Sequence, residues 1–451
     1  PILVRLDAEE YRIDNGIVLD DFLITAKLAE QAGADALDIS AYGNSSKSIA
    51  FTEAPLVHEP GGFIPFARLA KKAVSIPIIA VGRIELQQGE NGLAAGDFDF
   101  VAMGRKLLAD PDLPNKVDAG TTGLIRPCIY CYICVSQIFI NQPMKCAVNA
   151  SLGNEYLDKN IIYSTALQKK TLVIGSGPSG MEAARLLALR GHRVSIWEKD
   201  KDLGGTVRVA ALAYEPNWRL ISYLKNSLDD LGVDIILNKK ATAEQIAAEA
   251  PDQVIIATGA IRTAPDIKGN ELRHVFDGEQ LRGLLFGSDA QVIKKLSLFE
   301  QVMLTCGRWS QLLRHIGALR LLSRLWLPMA KKITIIGGDL VGLELAEFLV
   351  ARGRKVQVLE PSPTLGINLS IVRRSQLIHQ LKEHGAELFT RCEISEITQS
   401  GVQYQMDGKA HISACGQVII AMGAEENLSL YEQIGALGLP VKVIGDCAEV
   451  G

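Results

Sequence analysis

Thr171-Leu-Val-Ile-Gly175-Ser-Gly177-Pro-Ser-Gly180 reads as an apolar strand, a G-x-G-x-x-G turn and the start of a helix. Val194-Ser-Ile-Trp-Glu198 then forms a second strand ending in an acid. The glycines permit a tight turn and let a pyrophosphate rest on the helix N-terminus, while Glu198 can accept from ribose hydroxyls. Alone the glycine pattern is weak. With the strand before it, the helix after it and Glu198 at its usual distance, it marks a dinucleotide-binding α/β unit. A second copy follows at Ile333-Thr-Ile-Ile-Gly337-Gly338-Asp339-Leu-Val-Gly342, with Val356-Gln-Val-Leu-Glu360 as its second strand. Two copies imply two dinucleotides, usually FAD and a nicotinamide. Glu360 favours NADH, since it would repel the 2′-phosphate of NADPH. Asp339 stands where the middle glycine belongs and adds bulk and charge, so a decayed or repurposed nucleotide site is the alternative.

Working outward, residues 1 to 120 alternate strand and helix, which predicts a parallel sheet. Strands are expected at Ile2–Leu6, Ala36–Ser40, Pro77–Val81 and Phe98–Met103. Helices are expected at Leu19–Gln31, with Phe22, Ala26, Leu28 and Ala29 toward the core, and at Phe63–Lys72. Four such units make half of an eight-stranded barrel, the other half lying before Pro1. Val81-Gly82-Arg83-Ile84 and Ala102-Met103-Gly104-Arg105 each put Gly and Arg just past a strand. In barrels the loops after the last two strands commonly hold a phosphate, with Gly allowing close approach and Arg supplying charge; ordinary loop residues are the bland reading.

Between the barrel-like segment and the first fingerprint stand Cys128, Cys131, Cys134 and Cys146, spaced C-x2-C-x2-C-x11-C. Three thiolates on one loop with a fourth nearby suit an iron–sulfur cluster. Zinc also takes four thiolates but usually from two separated pairs, and a chance group of buried thiols is the third reading. Cys306, Cys392, Cys415 and Cys447 are scattered and read as packing residues.

The 451 residues are too many for a single core and predict about three domains. With 48% hydrophobic and 22% charged residues and a net charge of −4, nothing points to nucleic acid or an anionic membrane as partner. No apolar run reaches spanning length and the cysteines are no secreted disulfide framework, so a cytoplasmic protein without a transmembrane segment is expected. Pro1 runs straight into a strand and Gly451 follows one closely, so the chain reads as a fragment. Lys294 to Lys332 is unusual: Lys294, Lys295, Arg308, Arg314, Arg320, Arg324, Lys331 and Lys332 face a single acid, Glu300, and interleave with leucines and with Phe299, Trp309 and Trp326. A membrane-surface hairpin is one reading. The basic residues do not gather on one helical face, which favours an inserted helical lid on the nucleotide domain.

Val4-Arg5-Leu6, Ala80-Val-Gly-Arg83, Met103-Gly-Arg105-Lys-Leu-Leu-Ala-Asp-Pro111 and Arg126-Pro-Cys128, followed by the paired fingerprints, resemble the 2,4-dienoyl-CoA reductase and trimethylamine dehydrogenase family. These are Old Yellow Enzyme-like barrels fused to a flavin reductase module. The likeness covers the chain apart from the insert. It implies the C-terminal half of an FMN-binding (β/α)8 barrel at 1–120, a 4Fe–4S segment at 121–165, an FAD-binding domain at 166–283, the basic helical insert at 284–330, an NAD(H)-binding domain at 331–424 and a return to the FAD domain at 425–451. Arg5 would bond the FMN ring, and Gly82, Arg83, Gly104 and Arg105 its phosphate. Cys128, Cys131, Cys134 and Cys146 would ligate the cluster. Gly175, Gly177, Gly180, Glu198, Gly205 and Asp446 would hold FAD, while Gly337, Gly342 and Glu360 belong to the NADH site. The implied activity is an ene-reductase in which electrons run from NADH through FAD, cluster and FMN to a small-molecule substrate, an α,β-unsaturated carbonyl or enoyl thioester.

The chain departs from that family at Ser40-Ala-Tyr42-Gly-Asn44, where a proton-donating His is expected, and the family's other proton partner would precede Pro1. No catalytic residue is therefore assigned, and Tyr42 reads as a pocket wall. The alternatives are amine oxidation with electrons passed to an electron-transfer flavoprotein, and an NADH-oxidising electron-transfer module. A homo-oligomer is compatible with all three.

Overall fold

The computed structural model describes residues 1–11, 14–43, 59–158, 167–285, 289–296, 298–309 and 316–450. Asn44 and Arg314 fall outside these, as do the side chains of Tyr42, Phe299, Cys306, Arg308 and Trp309. The chain divides into two compact units, one comprising 1–114, 130–149 and 370–379, the other 115–129, 150–369 and 380–451.

The first unit is built on a parallel sheet of β1 (Leu3–Tyr11), β2 (Ala36–Gly43), β3 (Ile78–Ala80) and β4 (Phe100–Val101), in that order. Register pairs Arg5 with Asp38, Ile39 with Ala80, and Ala80 with Val101. Helices Leu19–Gln31, Ile64–Ala73 and Leu86–Ala95 connect these strands, giving the expected βα repetition. The core gathers Phe22, Ala26, Leu37, Ile39, Ile78, Ala80 and Phe98. Leu28 corrects the sequence reading: it is 57% exposed. At 3.6 residues per turn it lies about 200° around the helix from Ala26 and cannot share its face. The edge strands β1 and β4 expose Leu3 and Phe100 to 59% and 57%, apolar edges of the kind that barrel closure removes.

The second unit carries strands β5 (Lys170–Ile174), β6 (Arg193–Trp197), β7 (Asp234–Ile236), β8 (Gln253–Ile256), β9 (Val275–Asp277), β10 (Lys332–Ile336), β11 (Lys355–Glu360), β12 (Glu387–Thr390), β13 (Glu393–Thr398), β14 (Gly401–Met406), β15 (Lys409–Ala414), β16 (Gln417–Ile420) and β17 (Val441–Val443). They form two five-stranded parallel sheets, β17-β8-β5-β6-β7 and β12-β11-β10-β16-β9, and an antiparallel sheet β13-β14-β15. The apolar strands explain this. All but the first residue of β5 and of β10 are buried, as parallel strands covered on both faces require.

Sheet membership departs from the linear boundaries. β9 lies within 166–283, yet Val275–Asp277 pairs with Val418–Ile420 of β16, in the sheet of the second fingerprint. The ladder bonds, not the position of the insert, decide where a strand belongs. β17 returns to β8, Val441 opposite Val254, and so completes the first sheet from the far end of the chain.

The insert forms helices Leu298–Trp309 and Ile316–Leu325. Leu304, Ile316, Leu319 and Leu327 are buried. Arg352 reaches back to Ser323 Oγ at 2.8 Å, and Arg354 to Leu327 O at 3.1 Å. Burial, with Arg324 and Arg320 beside it, pushes Arg352 down to about 10. Cys392 and Cys447 are fully buried and Cys415 half-buried. Among the described residues no helix is long and apolar enough to cross a membrane.

Candidate functional site

The first fingerprint forms a turn in which each glycine has a different reason to be glycine. Gly175 has φ +102°, and a Cβ there would stand 2.3 Å from Ala257 O. A Cβ on Gly180 would stand 2.1 Å from Gly175 O, so helix Pro178–Leu189 approaches the turn too closely for any side chain. Gly177 is unlike both: its φ of −65° suits any residue, and nothing lies within 4 Å of a Cβ built on it. Space is therefore held open over the first turn of an N-terminus whose amides attract anions. Beside it, Thr258 Oγ1 is buried without a hydrogen-bond partner among the described residues. An open cradle and an unsatisfied hydroxyl fit a bound dinucleotide.

Glu198 is 6% exposed and clamps the turn. Its carboxylate accepts from Ser176 N at 2.8 Å, Ser176 Oγ at 2.6 Å and Asp200 N at 2.8 Å. The acid is thus already engaged by protein donors, although a carboxylate offers about four acceptor sites and has capacity for a ribose hydroxyl. Gly205, at φ +51°, packs against Gly177, its would-be Cβ 3.1 Å from Gly177 Cα. The turn of Gly445 abuts Ser179, which brings the exposed Asp446 to the same helix start.

The second fingerprint repeats the close packing. Gly337 has φ +104°, and a Cβ on Gly342 would stand 1.9 Å from Gly337 O. Glu360 accepts from Gly338 N at 2.5 Å and Ser362 N at 2.7 Å, as Glu198 does in the first copy. Asp339 precedes helix Leu340–Val350 but makes no side-chain bond to its amides. Its Oδ1 accepts from Asn368 N at 3.0 Å and its Oδ2 from Asn368 Nδ2 at 2.6 Å. The acid is turned aside, so the cradle still fits a nucleotide.

In the first unit, Gly82 (φ +108°) lies on the Phe63 ring, and Arg83 follows with φ +54°. A Cβ on Gly104 would meet nothing within 4 Å. The guanidinium of Arg83 sits 4.5 Å from the Tyr130 ring centre, and that of Arg105 4.4 Å from the Tyr132 ring centre. These tyrosines, buried to 3% and 2% exposure, flank Cys131. The two strand-end arginines and the cysteine loop therefore form one arrangement, which residue spacing alone does not show. The aromatic residues on either side of Cys131 were its available signal. Arg5 bonds Asp38 and Ser40 of β2, both at 3.2 Å.

Cys131, Cys134 and Cys146 belong to this unit, while Cys128 falls in segment 115–129 of the other. Burial pushes the Cys134 thiol up, as does nearby Cys146, whereas Arg105 pulls it down. Ser370 Oγ donates to Cys131 O at 2.7 Å. Among the described residues no group of three or more His, Cys, Asp or Glu side chains is gathered as a metal site.

Residues 169–444 match the pyridine nucleotide-disulphide oxidoreductase family, and residues 55–123 match the NADH:flavin oxidoreductase / NADH oxidase family. The chain is 32% identical to a bilirubin reductase of Mediterraneibacter gnavus over 96% of its length and 62% of that protein. It is also 32% identical to an NADH oxidase of Thermoanaerobacter brockii over 100% of its length and 64% of that protein. A 2-naphthoyl-CoA reductase solved with 2-naphthoyl-CoA superposes on all of the chain with TM-score 0.86 at 29% identity, 63% of that structure being covered. The chain thus spans less than two thirds of the length of these relatives. With two glycine cradles on two parallel sheets and a family match across both, the chain belongs to the pyridine nucleotide-disulphide oxidoreductase family.

Proposed function

We propose that the chain is the electron-supplying part of an NADH-dependent ene-reductase carrying FAD, FMN and a 4Fe–4S cluster. The observation that carries this reading is the open position at Gly177 above a helix N-terminus, in a chain that also matches a flavin oxidoreductase family; at the corresponding helix start of the second copy Asp339 is bonded to Asn368 and not to the helix amides. Gly175, Gly177, Gly180, Gly205 and Asp446 would hold FAD, with Glu198 fixing the turn beneath it. Gly337, Gly342 and Glu360 would hold NADH. Gly82, Arg83, Gly104 and Arg105 would hold the FMN phosphate and Arg5 its ring. Stacking on tyrosine uses the face of a guanidinium, whereas phosphate is bound by its edge, so Arg83 and Arg105 can do both. Cys128, Cys131, Cys134 and Cys146 would ligate the cluster, as their spacing suggests. When bound, the flavins and the cluster would accept the two electrons of a hydride from NADH, which leaves as NAD⁺, and pass them singly toward an activated alkene.

The substrate reading is an α,β-unsaturated carbonyl or enoyl thioester. It is supported by relatives named as reductases of bilirubin and of 2-naphthoyl-CoA. The test is anaerobic stopped-flow mixing of the holoprotein with NADH. Flavin bleaching followed by reoxidation with enoates or enoyl thioesters is the expected result. Bleaching by methylated amines and not by NADH would replace this reading with amine oxidation and transfer to an electron-transfer flavoprotein.

A further inference from the structure

We propose that Asn368 is a positioning residue that holds the Asp339 carboxylate away from the pyrophosphate of a nicotinamide nucleotide, an inference that rests on the second cradle being the nicotinamide site.

The two cradles share a return loop. In the first, Gly204 N donates to Ser176 O at 2.9 Å; in the second, Gly366 N donates to Gly338 O at 2.8 Å. In each case the residue bonded is the one following the first glycine of the fingerprint, so the loops correspond. In the first copy the loop then lays Gly205 against Gly177, two residues with no side chain at the anion position. In the second copy both of those positions carry side chains, Asp339 in place of Gly177 and Ile367, next after Gly366, in place of Gly205. Asp339 replaces the middle glycine, and the loop answers with Asn368, which donates from its backbone N–H and from its amide.

An Asp immediately before a helix ordinarily accepts from the first amides of that helix. Asp339 makes no such bond to helix Leu340–Val350. Both of its oxygens are drawn instead to Asn368, which leaves the helix N-terminus uncapped by the acid. Were the carboxylate to swing onto those amides, it would occupy the place and neutralise the field that attract a phosphate. Asn368 offers two donors at one point and makes the swung-aside position the stable one. The pair thus lets a non-glycine fingerprint remain a nucleotide cradle, with the acid tolerated rather than decisive.

The experiment is calorimetric titration of the holoprotein with NAD⁺, which carries the same pyrophosphate and does not reduce bound flavin. Four forms are compared: parent, Asn368→Ala, Asp339→Gly and the double variant, each checked for retained FAD and far-UV dichroism. Asn368→Ala should weaken NAD⁺ binding about tenfold, the scale of one charge at a helix terminus. Asp339→Gly should bind within about twofold of the parent, and Asn368→Ala should then cost nothing in that background, as coupled residues require. Should Asn368→Ala fold poorly, Asp339→Asn replaces Asp339→Gly in the same cycle, and Asn368→Ser replaces Asn368→Ala. An equal loss in both backgrounds, no loss in either, or a large gain from Asp339→Gly alone overturns the positioning role. If neither the parent nor Asp339→Gly binds NAD⁺ while FAD is retained, the nicotinamide assignment itself fails and takes the inference with it.

Discussion

Tyr130 Oη donates to Glu85 Oε1 at 2.7 Å, while Lys106 Nζ bonds the other oxygen of the same carboxylate at 2.5 Å. Glu85 in turn begins helix Leu86–Ala95, its backbone N–H bonded to Gln88 Oε1 at 3.0 Å. The cysteine-bearing loop is therefore tied to the turn after β3, the turn that carries Gly82 and Arg83. Tyr130→Phe keeps the ring beneath Arg83 and removes one donor from a charged acceptor, which should cost about 1–2 kcal/mol. Tyr130→Ala also leaves a cavity under two guanidinium groups and should cost about 3–5 kcal/mol. Urea denaturation of the three forms measures both; equal midpoints for the parent and Tyr130→Phe would show that the bond contributes nothing.

The two glycines at the first cradle should respond in opposite ways. Gly180→Ala forces a methyl against Gly175 O, 2.1 Å away. The helix must shift, and stability should fall by about 2–3 kcal/mol. Gly177→Ala meets open space at an ordinary φ, so thermal stability of the FAD-free protein should change by less than about 0.5 kcal/mol. The same methyl stands where pyrophosphate would rest, and FAD affinity should drop about tenfold or more, some 1.4 kcal/mol. Retention of full FAD affinity by Gly177→Ala would place the phosphates elsewhere.

Both nucleotide folds were legible in the sequence because the pattern is local: the fingerprint glycines, an apolar run and an acid all lie within one βαβ unit. The affiliation of β9 was not legible. Val275–Asp277 is short, and its partner Val418–Ile420 lies beyond the insert, so only the ladder assigns it. Leu28 is a different case: its place about 200° around the helix from Ala26 follows from spacing alone, and that angle, not its apolar character, puts it on the exposed side. At the candidate site the glycines and acids could be read, but not their partners. The Asp339–Asn368 bond and the placement of the Arg105 guanidinium over the Tyr132 ring join residues separated by 29 and by 27 positions, distances at which spacing carries no signal.

The iron–sulfur proposal makes a chemical prediction independent of activity. Anaerobically purified protein should contain iron and acid-labile sulfide. Replacing any one of Cys128, Cys131, Cys134 or Cys146 by Ser should remove most of both, since a cluster missing one thiolate of four is poorly held. Cys415→Ser, a half-buried cysteine of the antiparallel sheet region, should leave the content unchanged. Stoichiometric zinc in place of iron would transfer the four thiolates to a structural role.

Glu360 should set the choice between the two nicotinamide nucleotides. It is 9% exposed, and both of its oxygens are fixed, by Gly338 N at 2.5 Å and Ser362 N at 2.7 Å. A negative charge held this firmly at the end of β11 cannot move away from a 2′-phosphate, whose additional charge would meet it at short range. The parent should therefore bind NAD⁺ at least about tenfold more tightly than NADP⁺, a gap of some 1.4 kcal/mol. Glu360→Ala would leave the Gly338 N–H buried without its acceptor, at a cost of about 1–3 kcal/mol, and would confuse folding with recognition. Glu360→Gln is the more informative change, because it removes the charge and keeps an acceptor for the Gly338 N–H, losing only the bond from Ser362 N, which its amide NH2 cannot accept. Its discrimination should shrink, through tighter NADP⁺ binding, while stability falls less than in Glu360→Ala, which loses both acceptors. Equal affinity of the parent for both nucleotides would mean that the ribose does not lie against Glu360, and that the acid serves only to clamp the turn.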